Sequence, residues 1–157
     1  MAPCSDVMIN DVITLSPDIS VQDAMKIFDE KNLRSLPVVD GAGKLVGVFG
    51  LQQILFNLLP ASVAMDNGLS KLDFVVGAAP GIAKRLQKLQ DVKISDAMEK
   101  NPDVLQQDTP TWEGLRMMAI HGGPIPIVRG EDGSFVGVVT KRSMLRELNN
   151  IIEQGVE

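Results

Sequence analysis

His121 is the only histidine of the chain and Cys4 the only cysteine, so a histidine-type zinc site and a Cys-His nucleophile pair both lack a second member within one chain. Cys4 falls in an N-terminal segment expected to fray, and one thiol makes neither an intrachain disulfide nor a cysteine metal cluster. Paired carboxylates stand at Asp29-Glu30 and Glu131-Asp132, but the first pair falls on the solvated side of a helix and the second in a hairpin turn. Neither place encloses a substrate. Gly77-Ala78-Ala79-Pro80-Gly81 is glycine-rich and lacks the Gly-Lys-Ser/Thr ending of a phosphate loop. Lys84, Arg85 and Lys88 share a helical side that reads as a solvated face, with a phosphate or partner patch as the alternative. The eight methionines read as adaptable core filler rather than metal ligands. With no convergent base and nucleophile, an enzyme is not expected.

The chain that positions these groups has 157 residues, 45% of them hydrophobic, enough to bury a core. Its 15 basic and 20 acidic residues give a net charge of −5, against a broad basic face for nucleic acid. No apolar run approaches the roughly 20 residues that span a bilayer, and Met1-Ala2-Pro3-Cys4-Ser5 lacks the pattern of a signal segment. A cytoplasmic protein without membrane insertion is the expectation, and the lone thiol suits a reducing compartment.

Two stretches organise the rest. Leu36 to Leu55, LPVVDGAGKLVGVFGLQQIL, returns in altered form from Ile125 to Leu145 as IPIVRGEDGSFVGVVTKRSML. Each reads as strand, tight turn, strand, helix, with Asp40-Gly41-Ala42-Gly43 and Glu131-Asp132-Gly133-Ser134 as turn clusters. Ahead of the first, Val12 to Leu15 reads as a β-branched strand ended by Ser16-Pro17-Asp18. Ser20 then caps a helix with Val21, Ala24, Met25 and Phe28 on one face. Leu51 to Leu59 continues as an apolar helix stopped by Pro60. The second half repeats the first at a displacement of 90 positions, Met98 against Met8 and Gly137 against Gly47. Trp112, in the first turn of the second half's helix, reads as an anchor packed on the other half, with a ligand platform as the alternative. The final helix, Lys141 to Ile152, carries Met144, Leu145, Leu148, Ile151 and Ile152 as a stripe that could also meet a partner subunit. Residues 1–60 form the first repeat, 61–91 an inserted linker and 92–157 the second repeat. Within the insert, Leu72, Phe74, Val75 and Val76 could cover a hydrophobic edge, and Pro80 suits the first turn of a helix with Ile82, Leu86 and Leu89 on one face. A duplicated unit that cannot close its own core buries it against its twin.

Leu36-Pro-Val-Val-Asp40 with its altered copy Ile125-Pro-Ile-Val-Arg129, and the helix start Gly137-Val-Val-Thr140 with its altered copy Gly47-Val-Phe-Gly50, resemble a tandem pair of cystathionine-beta-synthase (CBS) domains, a Bateman module. The resemblance covers nearly all of the chain outside Pro60–Asp91. It implies an α/β (α+β) fold of two βαββα repeats about a pseudo-twofold axis, with two clefts between the halves. It also implies a homodimer, no required cofactor, and a regulatory ligand such as AMP, ADP, ATP or S-adenosylmethionine. The regulated enzyme or transporter is not named by the sequence, and the target would be engaged in trans. A dimerisation or assembly module that binds no ligand is the alternative.

The resemblance also assigns residues. The first cleft would set Met8, Ile13, Leu33 and Arg34 on the base side, facing Val138, Thr140 and Ser143. The second would set Met98, Asp103, Gly122 and Gly123 against Val48, Gly50 and Gln53. Relatives place a ribose-binding aspartate where this chain has Ser143 and Gln53, so a charge-assisted acceptor is missing from both. A hydrogen bond to a charged group is worth about 1.5 to 3 kcal/mol, a roughly ten- to hundredfold loss in affinity. Arg34 stands where relatives often carry a phosphate-contacting base. His121, just before Gly122-Gly123-Pro124, reads as a loop or helix-end residue, with a ligand contact or pH-sensitive group as the alternative.

Overall fold

The computed structural model describes residues 2–59 and 72–155, and gives no side-chain detail for 72–80. The fold is mixed α/β: the second half builds the full βαββα pattern, and the first builds its αββα part, with a single bridge of Leu15 to Val38 where the leading strand would stand. In the first half, helix α1 (Val21–Lys31), strands β1 (Ser35–Val39) and β2 (Leu45–Gly50) and helix α2 (Leu51–Leu58) follow in order. Helix α3 (Leu72–Leu89) lies in the insert. Strand β3 (Leu105–Gln106), helix α4 (Thr111–His121), strands β4 (Ile125–Arg129) and β5 (Ser134–Val139) and helix α5 (Lys141–Glu153) complete the second half.

Local chemistry explains these boundaries. Ser20 has an extended backbone and its hydroxyl accepts the Asp23 N–H at 3.1 Å, which starts α1. Asn32 ends that helix in the left-handed region at φ 54°, a conformation asparagine tolerates and β-branched residues avoid. Gly122, at the equivalent position, ends α4 at φ 78°. The Asp40 carboxylate closes the first hairpin by accepting the Ala42 and Lys44 N–H groups at 2.9 and 3.0 Å. In the second hairpin Asp132 takes the hydroxyl and N–H of Ser134, and these hydrogen bonds hold its carboxyl below the usual range.

The chain forms two compact units, and each draws on both repeats. Unit 1 contains Met1–Thr14, Val39–Leu45 and Asn101–Glu157; unit 2 contains Leu15–Val38 and Val46–Lys100. The cause lies in the two leads. In unit 1, Pro3 bridges Pro110 and Ile9 bridges Val138; in unit 2, Lys93 bridges Ser20 and Glu99 bridges Val48. Each pair in one unit is the other unit's pair shifted by 90 positions, so every lead is built into the unit that holds the other repeat's helix and hairpin.

Both cores therefore use the same positions. In unit 2, Leu15, Phe28, Leu36, Val38, Phe49, Ile54 and Ile94 are buried together. In unit 1 their counterparts are Leu105, Met118, Ile125, Ile127, Val139, Met144 and Cys4. Phe28 and Phe49 stack with centroids 6.1 Å apart, a contact worth about 0.5 to 1.5 kcal/mol beyond burial. Unit 1 fills this space with Met118 and Val139. In its sheet, β3 runs parallel to β4 and β5 antiparallel to β4. In unit 2, β1 pairs with β2.

Several sequence expectations change. Cys4 is not frayed: it is 0% exposed in a 3-10 turn, because the Pro3–Pro110 bridge fastens the lead and its thiol donates to Pro110 O at 3.6 Å. Val12 to Leu15 is not a strand. Only Leu15 finds a backbone partner, a parallel bridge to Val38, while Ile13 and Thr14 are exposed. Trp112 is 53% exposed and therefore no packing anchor. Pro80 does not open the insert helix, since α3 begins at Leu72. The readings of Leu72, Phe74, Val75 and Val76 concern side chains outside the described residues. In the final helix Met144 is buried, whereas Leu145 and Ile152 are 60% and 63% exposed. Among the described residues, no helix is long and apolar enough to cross a membrane.

Candidate functional site

The residues assigned to a ligand divide between the units. Unit 1 holds Met8, Ile13, Asp103, Gly122, Gly123, Val138, Thr140 and Ser143; unit 2 holds Leu33, Arg34, Val48, Gly50, Gln53 and Met98.

In unit 1, Met8 is delivered to β5 by the lead. Ile9 and Val138 exchange backbone hydrogen bonds of 2.7 and 2.9 Å, and a Cβ on Gly137 would stand 3.0 Å from the Met8 sulfur. Thr140 and Ser143 form a capping box at the start of α5. Thr140 Oγ1 accepts the Ser143 N–H at 3.0 Å, while Ser143 Oγ accepts the Thr140 N–H at 2.9 Å and donates to the Thr140 carbonyl at 3.0 Å. Ser143 is buried, so its hydroxyl is fully engaged by the helix start. Thr140 is half-buried, and its hydroxyl proton makes no bond among the described residues. Ile13, Asp103 and Gly123 are exposed, and Gly122 is half-buried at the end of α4. His121 is exposed in the last turn of that helix.

In unit 2, Met98 and Gln53 line one cavity of about 410 Å³. Its walls are α2, through Gln52, Gln53, Phe56 and Asn57, and the second lead, through Asp96 to Glu99. Backbone pairing holds the lead there: Val48 and Glu99 exchange hydrogen bonds of 3.0 and 2.9 Å. Asn57 adds a tie, donating to Gln53 O at 2.6 Å and Ala97 O at 3.2 Å. Gly50 is required where it stands, because a Cβ there would overlap the Arg34 carbonyl, which accepts the Leu51 N–H at 2.9 Å. The cavity thus combines the apolar Met98 and Phe56 with amides and with two carboxylates, Asp96 and Glu99.

Leu33 and Arg34 line a different cavity of unit 2, about 600 Å³ in volume. The left-handed turn at Asn32, followed by a Leu33 N–H to Phe28 O bond of 2.9 Å, sets both residues beside α1. Lys26, Gln22 and Gln90 share this wall. Sequence reasoning passed over them, since a polar helix side beside a cavity has the same pattern as one in open water. Phe56, Asn57 and Asp96 were missed too; a usable signal was that Asp96 lies two positions before Met98 on the same lead. Among the described residues, no group of three or more His, Cys, Asp or Glu is placed to hold a metal ion.

The family model described as CBS domain matches residues 4–60 and again 94–150. A CBS domain-containing protein of Dictyostelium discoideum is 24% identical over 147 residues, 93% of this chain and 90% of that protein. Among solved structures, CBSX2 of Arabidopsis thaliana in complex with AMP superposes with a TM-score of 0.70 at 24% identity, covering 96% of this chain and 98% of that one. The CBS domain pair of protein MJ0100, in complex with 5'-methylthioadenosine and S-adenosyl-L-methionine, gives a TM-score of 0.61 at 23% identity, covering 96% and 98%. At these identities the structural likeness establishes the fold.

Proposed function

The chain belongs to the CBS-domain family as a tandem pair, and from that premise we propose that it is a regulatory module that senses an adenine nucleotide or adenosyl compound and acts on a partner in trans. The observation that carries this reading is the shared cavity of Met98 and Gln53, two residues that the resemblance assigns to one ligand site. Its volume falls within the roughly 300 to 1,000 Å³ of small-molecule sites. Phe56 and Met98 offer apolar surface for a purine. Asp96 and Glu99 repel phosphates and attract hydroxyls or a cationic tail. Within this cavity the preference is therefore for an adenosyl compound such as S-adenosylmethionine over ATP. The complexes of CBSX2 with AMP and of the MJ0100 pair with S-adenosyl-L-methionine support the ligand class.

Calorimetry with AMP, ADP, ATP and S-adenosylmethionine tests the reading. Heat and a raised melting temperature with at least one of them are expected; no heat and no melting shift at millimolar ligand would reject ligand sensing. A second reading, an assembly module indifferent to nucleotides, is favoured by exposed apolar side chains at Leu55 and Leu145, equivalent positions 64% and 60% exposed. It predicts a homodimer by sedimentation whose stability ignores nucleotides, and a monomer at tens of micromolar would count against it.

A further inference from the structure

The cavity of about 600 Å³ beside α1 is bounded entirely by unit 2, and its chemistry differs from that of the Met98 cavity. Met25, Phe28, Leu33 and Leu51 give it apolar surface, and Lys26 and Arg34 place two cations on its lining against the single carboxylate of Asp29. Among the described residues, none of these three charged groups is paired in an ion bridge.

One wall comes from the insert. At the end of α3, Leu86 and Leu89 pack on the unit 2 core. The Gln90 carbonyl accepts the Gln22 N–H at 3.1 Å, and its side-chain amide approaches the Met25 sulfur at 3.9 Å. Gln90 is thereby held against α1 at two points. The equivalent face of unit 1 is chemically different. Gln22, Met25 and Lys26 correspond to Trp112, Leu115 and Arg116, and Arg116 is already engaged by Glu113.

We propose that this cavity, walled by α1, the turn leading into β1, the start of α2 and the end of the insert helix, is a binding site for a small organic anion with an apolar or aromatic body. The body would lie on Met25, Leu33 and Leu51, and the anionic group would meet Lys26 and Arg34. It is a different cavity from that of Met98 and Gln53; of the residues that the resemblance assigns to a ligand it holds Leu33 and Arg34, and Lys26 and Gln90 lie outside that assignment. It gives the insert a role: without Gln90 the groove along α1 has one wall fewer.

The test is a fluorescence titration of the full chain with 8-anilinonaphthalene-1-sulfonate, an aromatic monoanion that brightens in apolar contact. Three variants are compared with the native chain: Lys26→Glu, Gln90→Trp to fill the cavity, and Arg116→Glu as the equivalent charge reversal in unit 1. Circular dichroism melts check that each is folded. One probe per native chain is expected, with binding weakened roughly tenfold or more by Lys26→Glu, weakened also by Gln90→Trp, and unchanged by Arg116→Glu. Absence of binding to the native chain overturns the proposal. So does equal affinity in the native and Lys26→Glu proteins, or an equal loss in Lys26→Glu and Arg116→Glu.

Discussion

Replacing Gly47 by alanine probes the seam on which unit 2 depends. An added Cβ would stand 2.6 Å from the Glu99 carbonyl oxygen and 2.6 Å from the Met98 sulfur. The sulfur ends a flexible side chain and can turn away; the carbonyl is backbone and can yield only if the lead moves. Such a movement stretches the two bonds between Val48 and Glu99, of 3.0 and 2.9 Å. Each is worth about 1 kcal/mol net, and the forced contact adds about 1 to 3 kcal/mol. Alanine restores about 0.4 to 1 kcal/mol by restricting the unfolded chain. The net loss is about 2 to 4.6 kcal/mol, a fall in melting temperature of roughly 6 to 14 °C for a chain of this size. Gly41→Ala serves as control, since nothing lies within 4 Å of its Cβ. Urea denaturation gives the free energy, and hydrogen exchange at the Glu99 amide locates it. Should Gly47→Ala unfold at the native midpoint with Glu99 exchange unchanged, the close approach of lead and β2 would be refuted.

Three further outcomes are expected. Thr140→Ala removes the cap of α5 and lowers stability by about 0.5 to 2 kcal/mol, measured by urea denaturation, with Thr140→Ser retaining most of it. Ser143→Asp places a carboxylate where the resemblance implies a ribose acceptor, and on the proposed function it is expected to tighten adenine-nucleotide binding roughly ten- to hundredfold; unchanged calorimetric affinity would count against that role. Burial pushes the Cys4 thiol up, opposed by a Gly114 backbone hydrogen bond and aided by Glu113. A raised folded value favours the protonated thiol, so its stabilising contribution is complete below the unfolded value of about 8.5 and declines as pH rises through the folded one. Cys4→Ala is expected to flatten this alkaline decline in stability, read from melting curves between neutral and alkaline pH.

Much of this architecture could be read before folding was considered. The helix face of Val21, Ala24 and Phe28, the two turn clusters and the displacement of 90 positions are local or periodic, and a chain carries such features in residue order alone. Ser20 and Asn32 mark the ends of α1 for the same reason. The partner of each lead is not local. Val7-Met8-Ile9 and Ala97-Met98-Glu99 present much the same pattern to either hairpin, and Gly47 and Gly137 admit a lead equally, so the pairing of Ile9 with Val138 and of Glu99 with Val48 is visible only in the folded chain. That choice buries Cys4, which sequence position suggested would fray. The capping box of Thr140 and Ser143 is local, its members three positions apart, whereas the exposure of Trp112 depends on surfaces made by residues distant in the chain. Sequence determined the repeated parts because short-range backbone preferences and side-chain periodicity suffice to make them; tertiary structure decided how the leads were exchanged and which polar groups line a cavity, because those depend on surfaces that exist only after the parts have packed.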